Sequence, residues 1–331
     1  MLRELEQELE QELEGELELE GEQELEGEQE LEGELEQQEA ELDRELELEG
    51  ELEQELETQP GQEVEVLGRD ERVLVTRAEI NRAPFRYICN LEMDVPGVGA
   101  RAMCSGTLIG PRTVLTAGHC LVGPDNRPRR ASLFRVIPGR FGMLEPFPAT
   151  RAAAVHVMPG FARVSPTDIG IINLQHPVGT TMGYWSRTYR RFPWDDRGTS
   201  IGRLPLPAGS IAVNLSGYPA DKPDDPRFGC RVPGGGPCRH SSLSSRTRQR
   251  VCGTYQWRSY NQTARRSGDL LEYMNDTCAG HSGSPVWVKR DKTMGGRVMV
   301  AVHLGFLAAK RHNAAACLTP RVMAFVMRHL R

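Results

Sequence analysis

Residues 104 to 120 read CSGTLIGPRTVLTAGHC, two short apolar runs separated by a turn. The first run follows Cys104, Pro111 interrupts the pattern, and the second run ends at His119 and Cys120. Runs of this kind around a proline turn are typical of neighbouring β-strands. We therefore expect His119 at a strand end, with Cys104 and Cys120 close enough to pair. A histidine beside a cysteine is, taken alone, usually structural.

Two further runs carry side chains of the catalytic type. Asp168 opens the apolar run IGIINL at 169 to 174, where an unpaired carboxylate is costly to bury and needs a hydrogen-bonding partner. Residues 276 to 285 read DTCAGHSGSP, in which Gly280 and Gly283 around Ser282 allow a tight turn with two exposed N–H groups, as an oxyanion site requires. Singly, these are a strand-end residue and a turn. Jointly, in the order His, Asp, Ser, they are far more specific.

With these three runs, the chain resembles the chymotrypsin-like serine proteases over residues 66 to 331. The runs VLGRDERVLVT (66 to 76), SGYPADKP (216 to 223) and DTCAGHSGSP are similar to segments of the glutamyl endopeptidase branch. The resemblance implies that Ser282 is the nucleophile, His119 the general base, and Asp168 the group that holds the imidazolium. It also implies an oxyanion hole formed by the backbone N–H groups of Gly280 and Ser282.

The body of the chain is expected to be all-β. Short apolar runs separated by Gly, Pro and Asn recur through it, which favours barrels: VLVT at 73, LFRVI at 133, IGIINL at 169, VWV at 286 and VMVAVHL at 298. The resemblance implies two six-stranded antiparallel barrels, over about 66–185 and about 200–318, with the catalytic cleft between them. Thr319 and Pro320 predict the start of a helix over 320–331, which we expect to pack on the second barrel.

Eight cysteines, an even number, all lie in this body and suit disulfides in an oxidising compartment. The resemblance implies the pairs Cys104–Cys120 and Cys278–Cys317. Cys89, Cys230, Cys238 and Cys252 then allow three pairings, of which we favour Cys230–Cys238 with Cys89–Cys252. No CxxC pair occurs, so a zinc site is not favoured, and we expect no metal and no cofactor. The cysteines and the resemblance predict a secreted protein, although no signal peptide is visible.

The residues that bear on substrate choice point in two directions. His303 and Thr277 match the pocket residues of the glutamyl branch, whereas Asp276 stands where trypsin-like enzymes keep the aspartate that receives Arg or Lys. Some glutamyl endopeptidases share the Asp-Thr pair, so we expect cleavage after Glu, with Asp less favoured. Cleavage after Glu65 would free Val66, whose α-amino group joins the acid-binding pocket in some members of the branch. The alternatives are a trypsin-like endopeptidase and a non-catalytic scaffold.

The charge of the 331-residue chain is divided between two regions. Residues 1–65 hold 29 acidic and 2 basic side chains, and the remainder holds 17 acidic and 38 basic ones. The Glu/Leu-rich segment repeats GEQELE and predicts a disordered or weakly helical tail: a removable pro-segment, an electrostatic partner of the basic body, or a solubilising tail. The basic body favours acidic protein or peptide substrates. We expect a monomer with no nucleic-acid and no membrane partner, since the basic-aromatic run at 185 to 194 is typical of an inter-barrel loop.

Overall fold

A computed structural model describes eight stretches of the chain: residues 70–95, 99–142, 144–186, 199–201, 211–220, 253–289, 296–307 and 310–331. The side chains of residues 95, 99–103, 199–200 and 261 are not described. The acidic segment 1–65, Val66, Cys230, Cys238 and Cys252 lie outside the described residues. Among the described residues, no helix combines the length and the apolar character needed to cross a membrane.

The first barrel is a closed antiparallel sheet in which the strands follow the order β2-β3-β4-β7-β6-β5. Its strands are β2 (Ile88–Val95), β3 (Gly99–Gly110), β4 (Thr113–Thr116), β5 (Phe134–Pro138), β6 (Thr150–Val157) and β7 (Gly170–Leu174). Every residue of β4 and β7 is buried. Strand β4 precedes the turn that carries His119, and strand β7 follows Asp168. The antiparallel pairing of the two strands therefore brings the two side chains together.

The second barrel closes in the order β10-β11-β14-β13-β12-β9, with β9 also pairing with β10. Its strands are β9 (Ile211–Gly217), β10 (Trp257–Ser267), β11 (Leu270–Tyr273), β12 (Pro285–Lys289), β13 (Arg297–Leu307) and β14 (His312–Cys317). A short strand β8 (Thr199–Ile201) adds to β13 in parallel. The expected pair of six-stranded antiparallel barrels is confirmed.

The start of the chain body crosses to the second barrel. Strand β1 (Val73–Leu74) falls in the range predicted for the first barrel, but it pairs with β10 through Val73 and Arg258. Helix α1 (Arg77–Ile80) follows, with Thr76 and Glu79 forming a reciprocal capping box. A second one-turn helix, α2 (Gly179–Met182), lies near the end of the first barrel segment.

The C-terminal helix crosses in the opposite direction. Helix α3 (Pro320–His329) begins as predicted, with the Thr319 side chain accepting a hydrogen bond from the Val322 N–H. The expectation that it packs on the second barrel is wrong. Asn173 of β7 donates to the His329 carbonyl at 2.9 Å, and the Arg331 N–H donates to Thr113 of β4 at 2.8 Å. The apolar face of the helix therefore completes the core of the first barrel.

Large aromatic side chains fill the seam between the barrels. The Trp185 ring lies 6.1 Å from that of Tyr87 and 6.1 Å from that of Trp287, and its indole N–H donates to Thr107 at 3.0 Å. Trp185 is fully buried, in keeping with an inter-barrel connection at the start of the basic-aromatic run. Residues 187–198 of that connection lie outside the described part of the chain.

Candidate active site

Strand pairing brings His119 and Asp168 together. His119 lies in a 3₁₀ turn, Gly118–Leu121, directly after β4, and Asp168 precedes β7; the ladder joins Thr116 to Gly170. His119 Nδ1 lies 2.8 Å from Asp168 Oδ2, and the His119 backbone N–H donates to Asp168 Oδ1 at 2.8 Å. A side chain at Gly118 would have its Cβ 2.9 Å from the Phe161 ring and 3.2 Å from Asp168 Oδ1, so the turn requires glycine there.

The Asp168 carboxylate is fully buried, and its hydrogen-bond partners are protein groups instead of water. Burial alone would raise its pKa, but the charge and hydrogen bonds of His119, together with the Val164 N–H at 2.9 Å, outweigh burial and hold the pKa below its ordinary value. The side chain is therefore a carboxylate that accepts a hydrogen bond from His119 Nδ1. This arrangement leaves Nε2 of His119 as the nitrogen available for proton transfer.

The loop that carries Ser282 is held by a residue of the first barrel. The Ser105 N–H on β3 donates to the Ser282 carbonyl at 2.8 Å, and Ser105 Oγ donates to the Gly280 carbonyl at 2.7 Å. Ser105 Oγ in turn accepts a hydrogen bond from the Tyr218 N–H at 2.8 Å. Gly283 has φ +84°, and a Cβ there would lie 2.1 Å from the Ser105 carbonyl, so the turn after the serine approaches β3 too closely for any other residue.

The hydroxyl of Ser282 is hydrogen-bonded to the second barrel and not to His119. Ser282 Oγ donates to the Leu304 carbonyl at 3.3 Å, while His119 Nε2 is buried and has no hydrogen-bond partner among the described residues. The two loops are in contact, since Cys120 Sγ lies 3.8 Å from the Ser282 carbonyl oxygen. Joining the serine to the imidazole therefore requires a rotation of the Ser282 side chain.

The predicted oxyanion donors lie in the same tight loop. Gly280 has φ +90°, and a Cβ there would lie 2.3 Å from the Tyr218 carbonyl oxygen. Within the described part of the chain, neither the Gly280 nor the Ser282 N–H donates a hydrogen bond. Two backbone donors without an internal acceptor, fixed on one turn beside a serine hydroxyl, suit the stabilisation of a developing oxyanion.

His303 is hydrogen-bonded to the loop that carries Ser282. Its backbone N–H donates to the Ser284 carbonyl at 2.9 Å, and its carbonyl accepts from the Gly283 N–H at 2.8 Å. The ring is buried, with Nδ1 at 2.6 Å from the Tyr273 hydroxyl. Burial, with a smaller effect of His119 and against the opposing Ala314 carbonyl, lowers the pKa of His303 to about 3. His303 is thus a neutral imidazole in the free protein.

The other predicted binding residues lie on the segment before the nucleophile. Asp276 is 4% exposed, and its Oδ2 accepts a hydrogen bond from the Glu71 N–H at 2.8 Å. Thr277 is fully buried, and its hydroxyl has no hydrogen-bond partner among the described residues. The backbone of Glu71, before β1, therefore contacts the segment that precedes Ser282. Val66 lies outside the described residues.

His281, the residue before Ser282, is fully buried. Its Nδ1 accepts a hydrogen bond from the Cys278 N–H at 3.0 Å, which fixes the ring within its own loop. Burial, reinforced by the nearby Arg72 guanidinium, holds the pKa of His281 well below its ordinary value. Arg72 is itself paired with Asp70 at 2.9 Å.

The cysteines follow the predicted pairing only in part. Cys104 and Cys120 form a disulfide that joins β3 to the His119 turn. The pair Cys278–Cys317 is wrong for this structure, because Cys317 carries a free thiol within the apolar cluster of the second barrel, where burial raises its pKa to about 11. Cys89 is likewise a free buried thiol, which donates to the Tyr87 carbonyl at 3.4 Å, and its predicted partner Cys252 lies outside the described residues.

Among the described residues, one group of potential metal-ligand side chains lies close together: Cys104, His119 and Cys120. It does not suit a metal ion, because its two sulfur atoms are joined to each other and are not thiolates. His119 in the same group is engaged by Asp168.

Three contributors to the site carry no recognisable sequence signal. Ser105 anchors the nucleophile loop, Tyr273 contacts His303, and the Leu304 carbonyl accepts the Ser282 hydroxyl. Ser105 does follow Cys104 within the stretch that predicts the first hairpin, but only the packing of two barrels gives it a role. Tyr273 ends β11, whose sequence LLEY is typical of many buried strands and does not indicate a site.

Two closed barrels, with a buried His-Asp pair on one and a serine in a glycine turn on the other, are the arrangement of the chymotrypsin-like fold. Residues 75–304 match the model of the trypsin family, and the chain belongs to that family.

Two relatives and one solved structure are similar to the chain. The chain is 27% identical over 261 residues to a protein named Glutamyl endopeptidase from Bacillus licheniformis, a match that covers 78% of this chain and 66% of the relative. It is 27% identical over 240 residues to a protein named Extracellular metalloprotease from Bacillus subtilis (strain 168), covering 72% of this chain and 61% of that relative. The chain thus spans less than two thirds of the length of either relative. A solved structure of a Glu endopeptidase in complex with MPD has a TM-score of 0.55 and 23% identity, covers 80% of this chain and 98% of that chain, and shares the fold.

Proposed function

We propose that this protein is a serine endopeptidase that cleaves peptide bonds after Glu, and less readily after Asp, through an acyl-enzyme. The observation that carries the specificity is the position of the buried His303, whose backbone is hydrogen-bonded to Gly283 and Ser284 directly after Ser282. The similarity to a glutamyl endopeptidase supports the same choice.

The proposed reaction uses each group of the site once per half-reaction. Ser282 Oγ turns from the Leu304 carbonyl to His119 Nε2, gives up its proton there and bonds to the scissile carbonyl carbon. The N–H groups of Gly280 and Ser282 stabilise the oxyanion, and Asp168 stabilises the imidazolium. The imidazolium passes the proton to the leaving amine as the C–N bond breaks. Water, deprotonated by His119, then hydrolyses the ester and restores Ser282.

The proposed recognition of Glu depends on hydrogen-bond donors rather than on a fixed positive charge. A neutral imidazole donates one N–H, and the Thr277 hydroxyl has no partner among the described residues, so both can donate to a substrate carboxylate. A carboxylate that accepts such charge-assisted hydrogen bonds is bound more strongly than a neutral side chain in the same place.

The trypsin-like alternative depends on Asp276. Its carboxylate already accepts a hydrogen bond from the Glu71 N–H and is almost completely buried, which favours a structural role over the binding of Arg. The alternative makes a definite prediction, because a free Asp276 carboxylate would favour cleavage after Arg.

Matched peptides that differ only in the residue before the scissile bond, Glu, Gln, Asp or Arg, decide between the two specificities. We expect the highest kcat/KM with Glu, a selective loss of Glu cleavage in His303→Leu, and little change in the ranking in Asp276→Asn. Faster cleavage after Arg in the unmodified protein would reject the Glu assignment. Absence of Ser282 labelling by a fluorophosphonate would reject the enzyme and favour the scaffold.

We further propose that the enzyme acts on its own N-terminal segment and is secreted. Glu65-Val66 is a cleavage site of the proposed kind, and the name of the Bacillus subtilis relative includes the word extracellular. Mass spectrometry after incubation at neutral pH should show a new N-terminus at Val66 in the unmodified chain and none in Ser282→Ala. An intact acidic segment in the active protein would contradict this step.

A further inference from the structure

Tyr273 and His303 form a buried polar pair in the second barrel, next to the Ala314 carbonyl. Tyr273 ends β11, His303 lies in β13, and β14 runs between these strands. Both side chains are about 1% exposed, and the phenol oxygen lies 2.6 Å from His303 Nδ1. The two rings are tilted, with centroids 6.0 Å apart, so the contact is a hydrogen bond through the ring edge rather than stacking.

The direction of this hydrogen bond follows from the donors that must be satisfied. A buried O–H without an acceptor is costly, and within the described residues the one hydrogen bond of the Tyr273 hydroxyl is to His303 Nδ1. If Nδ1 carried the proton, the phenol would accept it and its own O–H would have no acceptor. The phenol therefore donates, and Nδ1 accepts. Burial keeps the pKa of Tyr273 well above its ordinary value, so the donor is present at every working pH.

A neutral imidazole has one N–H, and the bond to Nδ1 therefore places that proton on Nε2. A carboxylate binds to an N–H and is repelled by a ring lone pair. The tautomer of His303 thus determines whether the ring attracts or repels a Glu side chain, and this choice depends on a residue two strands away.

We propose that Tyr273 is a positioning residue for substrate specificity, which holds His303 in the Nε2–H form and so selects an acidic side chain before the scissile bond. This inference rests on the proposed function and adds to it the group that sets the chemistry of the recognition histidine. Tyr273 itself does not contact substrate in this scheme.

The kinetic test uses Tyr273→Phe, which removes one oxygen atom and keeps the ring. We expect kcat/KM for the Glu peptide to fall about ten- to hundred-fold, the effect of losing a hydrogen bond to a charged group. The loss should fall mainly on KM, while a matched peptide with Leu before the scissile bond is cleaved at an unchanged rate. Tyr87→Phe, which removes the hydroxyl of another fully buried tyrosine, serves as the matched control and should leave the ratio of Glu to Leu cleavage unchanged.

The spectroscopic test reads the tautomer directly. In the full chain labelled with ¹⁵N-histidine, we expect His303 to show a protonated Nε2 and an unprotonated Nδ1, and Tyr273→Phe to shift the ring towards the other tautomer. A purely structural role of Tyr273 would leave the tautomer as it is and lower the cleavage of Glu and Leu peptides alike.

The outcomes separate this inference from the proposed function. If the unmodified enzyme prefers Glu and Tyr273→Phe keeps both that preference and the Nε2–H tautomer, the inference fails and the proposed function stands. If the unmodified enzyme prefers Arg, the proposed function fails and the inference with it, whatever the NMR spectrum shows.

Discussion

The two barrels hold their parts of the active site in different ways. In the first barrel, Asp168 is bonded to the backbone N–H groups of His119 and Val164 and to the His119 ring, all within the same barrel. In the second, the loop of Ser282 is anchored by Ser105, which belongs to the first barrel. The His119–Asp168 pair is therefore held within one barrel, whereas the Ser282 loop is held both by His303 of its own barrel and by Ser105 across the seam. Damage at the seam should affect Ser282 before it affects the His119–Asp168 pair.

The largest expected effect comes from the second barrel alone. Ser282→Ala removes the nucleophile without touching the His119–Asp168 hydrogen bond, and kcat should fall on the order of a million-fold. The denaturation midpoint should stay close to that of the unmodified protein, which serves as the control for folding. Substantial peptidase activity in the purified variant would show that Ser282 is not the nucleophile.

The corresponding change in the first barrel is Asp168→Asn. The amide presents an N–H where Nδ1 of His119 needs an acceptor, so the ring adopts the wrong tautomer and kcat should fall about ten-thousand-fold. Asp125→Asn, on an exposed turn, is the matched control and should leave kcat unchanged. Because the pKa of Asp168 lies below its ordinary value, the unmodified enzyme should lose this contribution only at strongly acidic pH. A kcat within ten-fold of the unmodified enzyme would contradict the role of Asp168.

Ser105→Ala tests the connection between the barrels. The variant leaves the Tyr218 N–H and the Gly280 carbonyl without their partner, which should lower kcat about ten-fold and the free energy of unfolding by about 1 to 3 kcal/mol. NMR signals of the His119–Asp168 hydrogen bond should persist, because no contact of that pair involves Ser105 Oγ. Ser132→Ala, on the surface of the same barrel, is the control. Loss of the His119–Asp168 signal would show that the base is not positioned locally.

The smallest effect concerns pH. His281 and His303 are buried with lowered pKa values, so below pH 6.5 the unfolded chain binds protons that the folded one does not. Stability should therefore fall as the pH drops below about 6.5, by on the order of 1 kcal/mol per pH unit for each imidazole. Urea unfolding at pH 7 and pH 5 measures this slope, and His303→Leu should reduce it. An equal slope in both proteins would mean that His303 is protonated when folded.

The sequence predicts the parts of the site that local patterns encode. His119, Asp168 and Ser282 each stand beside an apolar strand or a glycine turn, and the start of α3 is marked by Thr319 and Pro320. The packing partner of α3 was not predictable, because its apolar face fits either barrel and only the distant Asn173 and Thr113 select the first. Cys317 shows the limit of resemblance: its residue type matches a bridge, but its thiol is buried in the second barrel core. Tyr273 was missed because its role depends on β14 lying between two strands that are far apart in sequence.

The crossing of the two chain ends sets a rule for dividing this molecule. A cut in the connection between the barrels would give an N-terminal fragment that carries β1, an edge strand of the other half, and a C-terminal fragment that carries α3, a lid of the first half's core. Neither fragment would be a self-sufficient domain. When the two fragments are mixed, each supplies an element that the other needs. Folding of the two fragments together should therefore be more favourable than the folding of either fragment alone.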